Sequence, residues 1–384
     1  MKNLYLIFTT VIALSISLVS TNLFAGNDQR AAEAGATELL INPWAKSSGW
    51  ADANVACVTG LESMYQNVAG LAFTTRTELI FTNTQYLVGS EIVINSGGFA
   101  TRIGKENGGV IGLSVMAMNF GETEVTTVAL PEGGIGTFNP TYSVIALSYA
   151  REFSNSIYGG ITVKMINESI FNVGGNGFAI DAGIQYVTGV GRDKAGNRHR
   201  DNLRFGITMK NVGTTMKYSG DGMSFTGFSP NGTSMTVSQR SQEFELPSLI
   251  KIGLSYHIKI LSNKSSSRYS DGEDANGSAS EELVSNHGII IAANFTSNSY
   301  TKDQFHFGLE YAFRNYFFLR GGYLFESGIE QKNSTTNVLT GPTAGVTLQA
   351  PLSKVNKSVL AFDYSYRFTH NFNGIHTFGV RISL

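Results

Sequence analysis

The sequence predicts an all-β fold: a transmembrane antiparallel β-barrel of about 14 strands closed around an N-terminal plug, or hatch. Three observations predict it. The chain ends in unbroken alternation, with Phe378, Val380, Ile382 and Leu384 on one side and Gly379, Arg381 and Ser383 on the other, the period-two signature of a strand with one greasy face. Charged residues make up only 15% of the 384, while Gly (43), Phe (25) and Tyr (16) abound; ordinary soluble domains carry roughly 25% charge. Beyond Ala25 no run comes near the ~20 apolar residues a spanning helix needs, so a chain that enters a bilayer does so with strands.

The elements follow in order. Residues 1–25 read as a signal peptide: Lys2 is a positive start, Leu4 to Val19 is apolar, and Leu23-Phe24-Ala25 offers a cleavage site. Residues 26–75 do not alternate. They hold both tryptophans, Trp44 and Trp50, a small-residue run from Asp52 to Gly60 and a short helical turn at Leu61–Tyr65. Too short for a secure independent domain, this segment is placed inside the barrel, where polar lumen side chains satisfy its backbone.

Residues 76–384 form the barrel. Strand-like segments lie near 77–86, 90–103, 108–120, 141–151, 156–170, 175–187, 202–212, 245–260, 287–296, 303–313, 315–326, 343–350, 357–369 and 374–384. Their polar faces identify the solvent. Phe305, Phe307, Leu309, Tyr311 and Phe313 alternate with His306, Gly308, Glu310 and Ala312, and Leu203, Phe205, Ile207 and Met209 with Arg204, Gly206, Thr208 and Lys210. A soluble sandwich would show dense charge on its exposed face; small residues with isolated charges fit a wet lumen behind a lipid-facing wall. Lys164, Arg204, Lys251, Glu310, Arg320, Asp363, Arg367 and Arg381 fall on that inner face and are expected to pair with one another or with the plug.

With both termini in the periplasm, odd strands run outward and the connections sort into two sets. External loops include 121–140, 213–244 and 327–341. Of these, 213–244 is the candidate partner-binding loop, since Met216, Tyr218, Met223, Phe225, Phe228 and Met235 sit among Gly and Ser; adaptable apolar surfaces suit partners of varied shape. The plain alternative is that this loop packs on itself over the barrel mouth. Two periplasmic loops are long: 189–201, with Arg192, Lys194, Arg198, His199 and Arg200, and 262–285, a hydrophilic run through Asp271, Glu273, Asp274, Glu281 and Glu282. The second is either a disordered insertion or a handle for a periplasmic partner.

Several chemistries lack a basis. A net charge of −1 argues against nucleic acid as a partner, and a single cysteine, Cys57, allows no intramolecular disulfide. The six histidines, at 199, 257, 287, 306, 370 and 376, show no metal-ligand spacing, and no nucleophile, base and orienter come together. Gly133-Gly134-Ile135-Gly136 and Gly174-Gly175-Asn176-Gly177 do not sit between a parallel strand and a helix, where a phosphate loop belongs. No catalytic residue, metal or cofactor is expected, and no enzyme.

One stretch is recognisable. Ser48-Gly49-Trp50-Ala51-Asp52-Ala53-Asn54-Val55-Ala56, followed by Leu61-Glu62-Ser63-Met64-Tyr65-Gln66-Asn67-Val68-Ala69-Gly70-Leu71, resembles the PorV/PorQ family of Bacteroidota outer-membrane proteins, part of the wider FadL-like barrels. That family carries Asn-Pro-Ala-Gly-Leu just before its first strand. Asn67, Ala69, Gly70 and Leu71 match this plug motif, and Val68 replaces the proline, which predicts a looser turn. The similarity runs on through Tyr158-Gly159-Gly160-Ile161-Thr162-Val163-Lys164 and covers most of the mature chain. The resemblance implies a fourteen-stranded FadL-like barrel with a hatch. Its best-known members serve the type IX secretion system, docking on the translocon and gripping cargo by extracellular loops, for which 213–244 is the candidate here.

The expected function is therefore a non-enzymatic, protein-binding subunit of a secretion or assembly machine in the cell outer membrane. Its partners would be the lipid bilayer, other outer-membrane or periplasmic proteins, and cargo proteins. Two alternatives stand beside it: a FadL-like transporter of hydrophobic small molecules, and an accessory subunit for barrel assembly or lipoprotein export. An open porin is a further reading, which requires a water path past the hatch.

Overall fold

Strand-forming sequence resolves into fourteen antiparallel strands closed into one barrel in the computed structural model, which describes residues 30, 33–104, 108–191, 199–264, 283–331, 337–353 and 358–384. The strands are β1 (Thr77–Tyr86), β2 (Ile92–Arg102), β3 (Val110–Asn119), β4 (Thr141–Ser154), β5 (Ile157–Ile170), β6 (Val173–Thr188), β7 (Leu203–Gly213), β8 (Leu249–Lys264), β9 (Leu283–Asn298), β10 (Gln304–Phe313), β11 (Phe317–Glu326), β12 (Leu339–Ser353), β13 (Ser358–Thr369) and β14 (Ile375–Ser383). Each pairs with its sequence neighbours, and β14 closes on β1 from Glu78↔Ser383 to Gln85↔His376. Closure leaves no unpaired edge, the condition for a sheet in hydrocarbon.

Count and faces agree with the sequence reading; some strand ends differ. β12 begins at Leu339 and carries register shifts beside Pro342 and Pro351, because proline cannot donate to the ladder. β8 and β9 extend to Lys264 and back to Leu283, so both ends of the expected 262–285 loop are strand. Residues 265–282, the expected signal peptide at 1–25 and residues 192–198 lie outside the described residues.

Outward side chains are large and apolar: Phe81, Leu147, Phe307, Phe362 and Phe378 are all exposed. Inward positions hold Thr82, Ser96, Thr162, Thr208, Ser365 and Thr377, all buried. The wall is greasy outside and polar inside, the reverse of a soluble protein. This is an integral outer-membrane β-barrel, its outer wall against the bilayer.

Residues 33–75 thread the lumen, with two single-turn helices, α1 (Ala45–Ser48) and α2 (Ser63–Gln66). Trp44 and Trp50 are each 2% exposed. The wall gives them room through inward glycines: a Cβ on Gly322 would lie 2.3 Å from the carbonyl carbon of Trp50, and Gly345 meets Gly49 backbone to backbone. Wall side chains also serve the hatch backbone. Thr82 donates to the Pro43 carbonyl (2.9 Å), Gln185 to that of Val58 (3.0 Å) and Thr343 to that of Gly49 (3.2 Å), while Glu78 accepts from the Leu61 N–H (3.1 Å).

The motif before β1 is a closed turn. The Asn67 side chain accepts from the Ala69 N–H (3.2 Å) and donates to the carbonyls of Val55 (3.0 Å) and Ile184 (3.1 Å). Gly70 packs under the Val58 carbonyl, where a Cβ would be 2.2 Å away, and Leu71 is fully buried. Val68 does not loosen the turn, because its buried side chain wedges against Gly160.

The hatch runs in an unexpected direction. Gly35 donates to the Glu245 carbonyl (3.0 Å) and Arg30 pairs with the Glu245 carboxylate (3.2 Å), which also accepts from the Tyr300 hydroxyl. These partners belong to the long-loop, outer mouth. At the other end Arg102 donates to the carbonyls of Ala72 (2.7 Å) and Thr74 (2.8 Å). The sequence reading put both termini on the periplasmic side; with β1 beginning at the periplasmic end, the first described residues, Arg30 and Gly35, instead lie at the opposite mouth.

Candidate functional site

Above the hatch the lumen keeps a cavity of about 370 Å³. The hatch supplies its floor through Asp52, Tyr65, Glu38 and Ile41. The strands supply walls of mixed character, with Ile92, Met118, Leu249, Leu324, Leu339 and Ile375 set among Thr296, Asn298, Gln304, His306 and Glu326.

The polar part of the floor is built around Asp52. Its carboxylate accepts from Arg367, from Asn42 and from Gln66 Nε2 (2.6 Å). Lys251 Nζ donates to Gln66 Oε1 (3.1 Å), and His306 Nδ1 donates to the Ala51 carbonyl (2.6 Å). Burial alone would raise the Asp52 pKa, but Arg367 and then Lys251 outweigh it and hold the carboxyl at about 2. Asp52 is therefore an anion matched to two cations. Glu38 moves the other way, its pKa raised by burial.

Behind Tyr65 lies a second buried cluster. Lys164 pairs with Asp181 (2.7 Å) and donates to Asn211 Oδ1 (2.5 Å), and the Asn211 N–H donates to Asp181 (2.8 Å). A bulge makes this possible. Between Ile180↔Val212 and Ala182↔Met209, β7 spends one more residue than β6, and Asn211 takes φ 59°. Lys210 and Asn211 thus both turn inward and are buried, with Lys210 Nζ 3.5 Å from the Tyr65 ring centre. A third group joins Arg320 to Glu310 (2.5 Å) and Thr347 (2.5 Å), Thr347 to Asp363, and Asp363 to Arg381 (3.7 Å).

The sequence-derived inner charges scatter over these groups. Only Lys251 and Arg367 line the cavity. Lys164, Glu310, Arg320, Asp363 and Arg381 lie in the other clusters, and Arg204 sits 5.3 Å from the Phe73 ring centre. Asp52 and Glu38 carry no sequence signal of an inward charge, because the hatch has no period to mark a facing residue. Nothing in the sequence signals the bulge that turns Asn211 inward.

The outer loop divides. Met216 is buried against Gly177 and Tyr218 donates to Glu168, so these two pack the loop down. Met223 is half-buried. Phe225, Phe228 and Met235 stand exposed, at 54%, 76% and 49%, on a hairpin pairing Ser224–Phe228 with Ser234–Ser238. Among the described residues no cluster of His, Cys, Asp or Glu could hold a metal.

No protein-family model matches the chain, and no curated protein does. Solved structures do. The toluene transporter TbuX of Ralstonia pickettii is 12% identical with TM-score 0.46, over 89% of this chain and 97% of that one. A FadL homologue of Pseudomonas aeruginosa is 10% identical with TM-score 0.45, over 88% and 97%. The toluene transporter TodX of Pseudomonas putida is 11% identical with TM-score 0.46, over 85% and 93%.

Proposed function

We propose that this barrel binds small hydrophobic or amphipathic molecules in the cavity over the hatch and passes them across the outer membrane, without catalysis. The reading is the FadL-like transporter rather than the secretion subunit, and the cavity carries it. A volume of about 370 Å³ lies within the roughly 300–1,000 Å³ of small-molecule sites and is too small for a polypeptide. The apolar part of its wall, from Ile92, Met118, Leu249, Leu324, Leu339 and Ile375, rewards burial at about 25 cal/mol per Å², while Asp52, Lys251, Arg367 and the polar wall positions hold a polar end. The test is titration of the purified protein with the fluorescent probe N-phenyl-1-naphthylamine. Saturable binding is expected, and Leu339→Trp, which pushes an indole into the cavity, should weaken it. Equal binding by that variant overturns the proposal.

A second reading rests on a separate observation. The hairpin from Ser224 to Ser238 contains no charged residue and exposes Phe225, Phe228 and Met235; such surfaces mark interaction sites. Together with the PorV/PorQ resemblance, this supports docking of a secretion or assembly partner. Native pull-down should recover a stoichiometric protein that is lost when 224–238 is replaced by a Gly/Ser turn.

A further inference from the structure

The lipid-facing wall carries one charge that a purely greasy surface would not contain. Among barrel-strand residues whose side chains are described, Arg151 on β4 is the only Asp, Glu, Lys or Arg at an outward position. Its guanidinium lies 5.1 Å from the Phe153 ring centre and has no carboxylate partner among the described residues.

The wall beside it is notched. Register places Arg151 against Gly159 of β5 and Gly159 against Ile184 of β6, with Tyr149, Ile161 and Ala182 forming the next row. Gly159 and Ala182 are small where the neighbouring outward positions hold Ile157, Ile161, Ile180 and Ile184. The result is a groove of about 340 Å³ with a backbone floor and walls from Tyr149, Phe153, Ile161 and Ile184. Arg151 lies close to the end of β4 at Ser154, beside the periplasmic turn into β5. That is the depth of headgroups in the periplasmic leaflet, where aromatic girdles sit.

We propose that this notch is a site for one glycerophospholipid of the periplasmic leaflet, with an acyl chain over Ala182, alongside the Phe153 ring that covers Gly159, and the phosphodiester on Arg151. The bilayer is the medium this wall faces, so the occupant is a lipid. Shape and charge together distinguish a site from passing boundary lipid. An unfilled groove forfeits dispersion contacts along its whole lining, and a cation at its headgroup end forms charge-assisted hydrogen bonds to phosphate oxygens. Lipopolysaccharide, in the opposite leaflet, does not reach it.

Native mass spectrometry of the delipidated protein in mild detergent, titrated with phosphatidylglycerol or phosphatidylethanolamine, tests this. The wild type should retain one lipid after others have dissociated. Arg151→Gln and Gly159→Leu should each cut that occupancy at least fivefold, with the double variant no worse than either, since both act on one site. A Cβ at 159 meets the Phe153 ring at 2.8 Å and the Gly183 carbonyl oxygen at an ordinary 3.7 Å, and that ring is a side chain 63% exposed, so the substitution displaces it outward rather than the backbone. Heat-modifiable migration on gels confirms folding of each variant. Equal lipid retention by wild type and both variants overturns the proposal as boundary lipid only. Displacement of the lipid by inorganic phosphate alone also overturns it, since the acyl chain would then contribute nothing. Naphthylamine binding in the lumen should be the same in all variants, which separates this site from the cavity.

Discussion

Replacing Asp52 with Asn should unseat the middle of the hatch while leaving the barrel standing. Asp52 is buried and is the carboxylate partner of Arg367, which is itself 8% exposed. The substituted amide would still accept from one neighbour but would leave the guanidinium as an uncompensated charge. Breaking a buried pair from one side costs about 3–5 kcal/mol, and at ~1.4 kcal/mol per decade that is roughly a hundred- to several-thousand-fold in hatch opening. Hydrogen exchange read by mass spectrometry on peptides covering 42–58 should show that acceleration, with strand peptides unchanged. Adding Arg367→Met should recover part of the protection, because the stranded charge is then gone. Unchanged exchange in the single variant, or a double variant as fast as the two single effects added together, would refute the argument that this pair holds the hatch.

The same pair predicts an acid response. The Asp52 carboxyl is held at about 2 against an ordinary 3.8, so its contribution of about 2 kcal/mol is complete above roughly pH 4 and disappears as pH falls through 2; hatch exchange should accelerate in that window in the wild type but not in the Asp52→Asn, Arg367→Met double variant. Gly322→Val puts a Cβ 2.3 Å from the Trp50 backbone, an overpacking cost of about 3 kcal/mol or more; the barrel should still shift on heating in gels while trypsin now cuts at Lys46. Lys164→Met strands Asp181 and should lower stability in urea by about 3–5 kcal/mol. Lys210→Met, which removes a buried amine stacked on Tyr65 without a carboxylate bond, should be close to neutral, because the cation–π attraction of about 1 kcal/mol is offset by the desolvation of the amine; equal losses in the two would contradict the pairing.

Alternation is a local property, so the sequence by itself determined the strands, their number and which face of each meets lipid. Phe378, Val380 and Ile382 read outward from spacing alone, and the residues between them inward. The tight turn at Asn67 before β1 stood out as a motif, although its closure around Val68 did not. The cavity floor was beyond such reading. Asp52 and Arg367 are separated by 315 positions, and they meet only because the strand circle brings β13 around to a hatch whose own residues follow no period. The Asn211 bulge likewise depends on one extra residue in β7 against its partner β6. The loop from 213 to 244 split into a packed half and an exposed hairpin according to which side chains found Gly177 and Glu168 beneath them. Period-two patterning is written residue by residue along the chain, whereas the partners of an inward side chain are chosen by closure, and closure exists only once all fourteen strands have met.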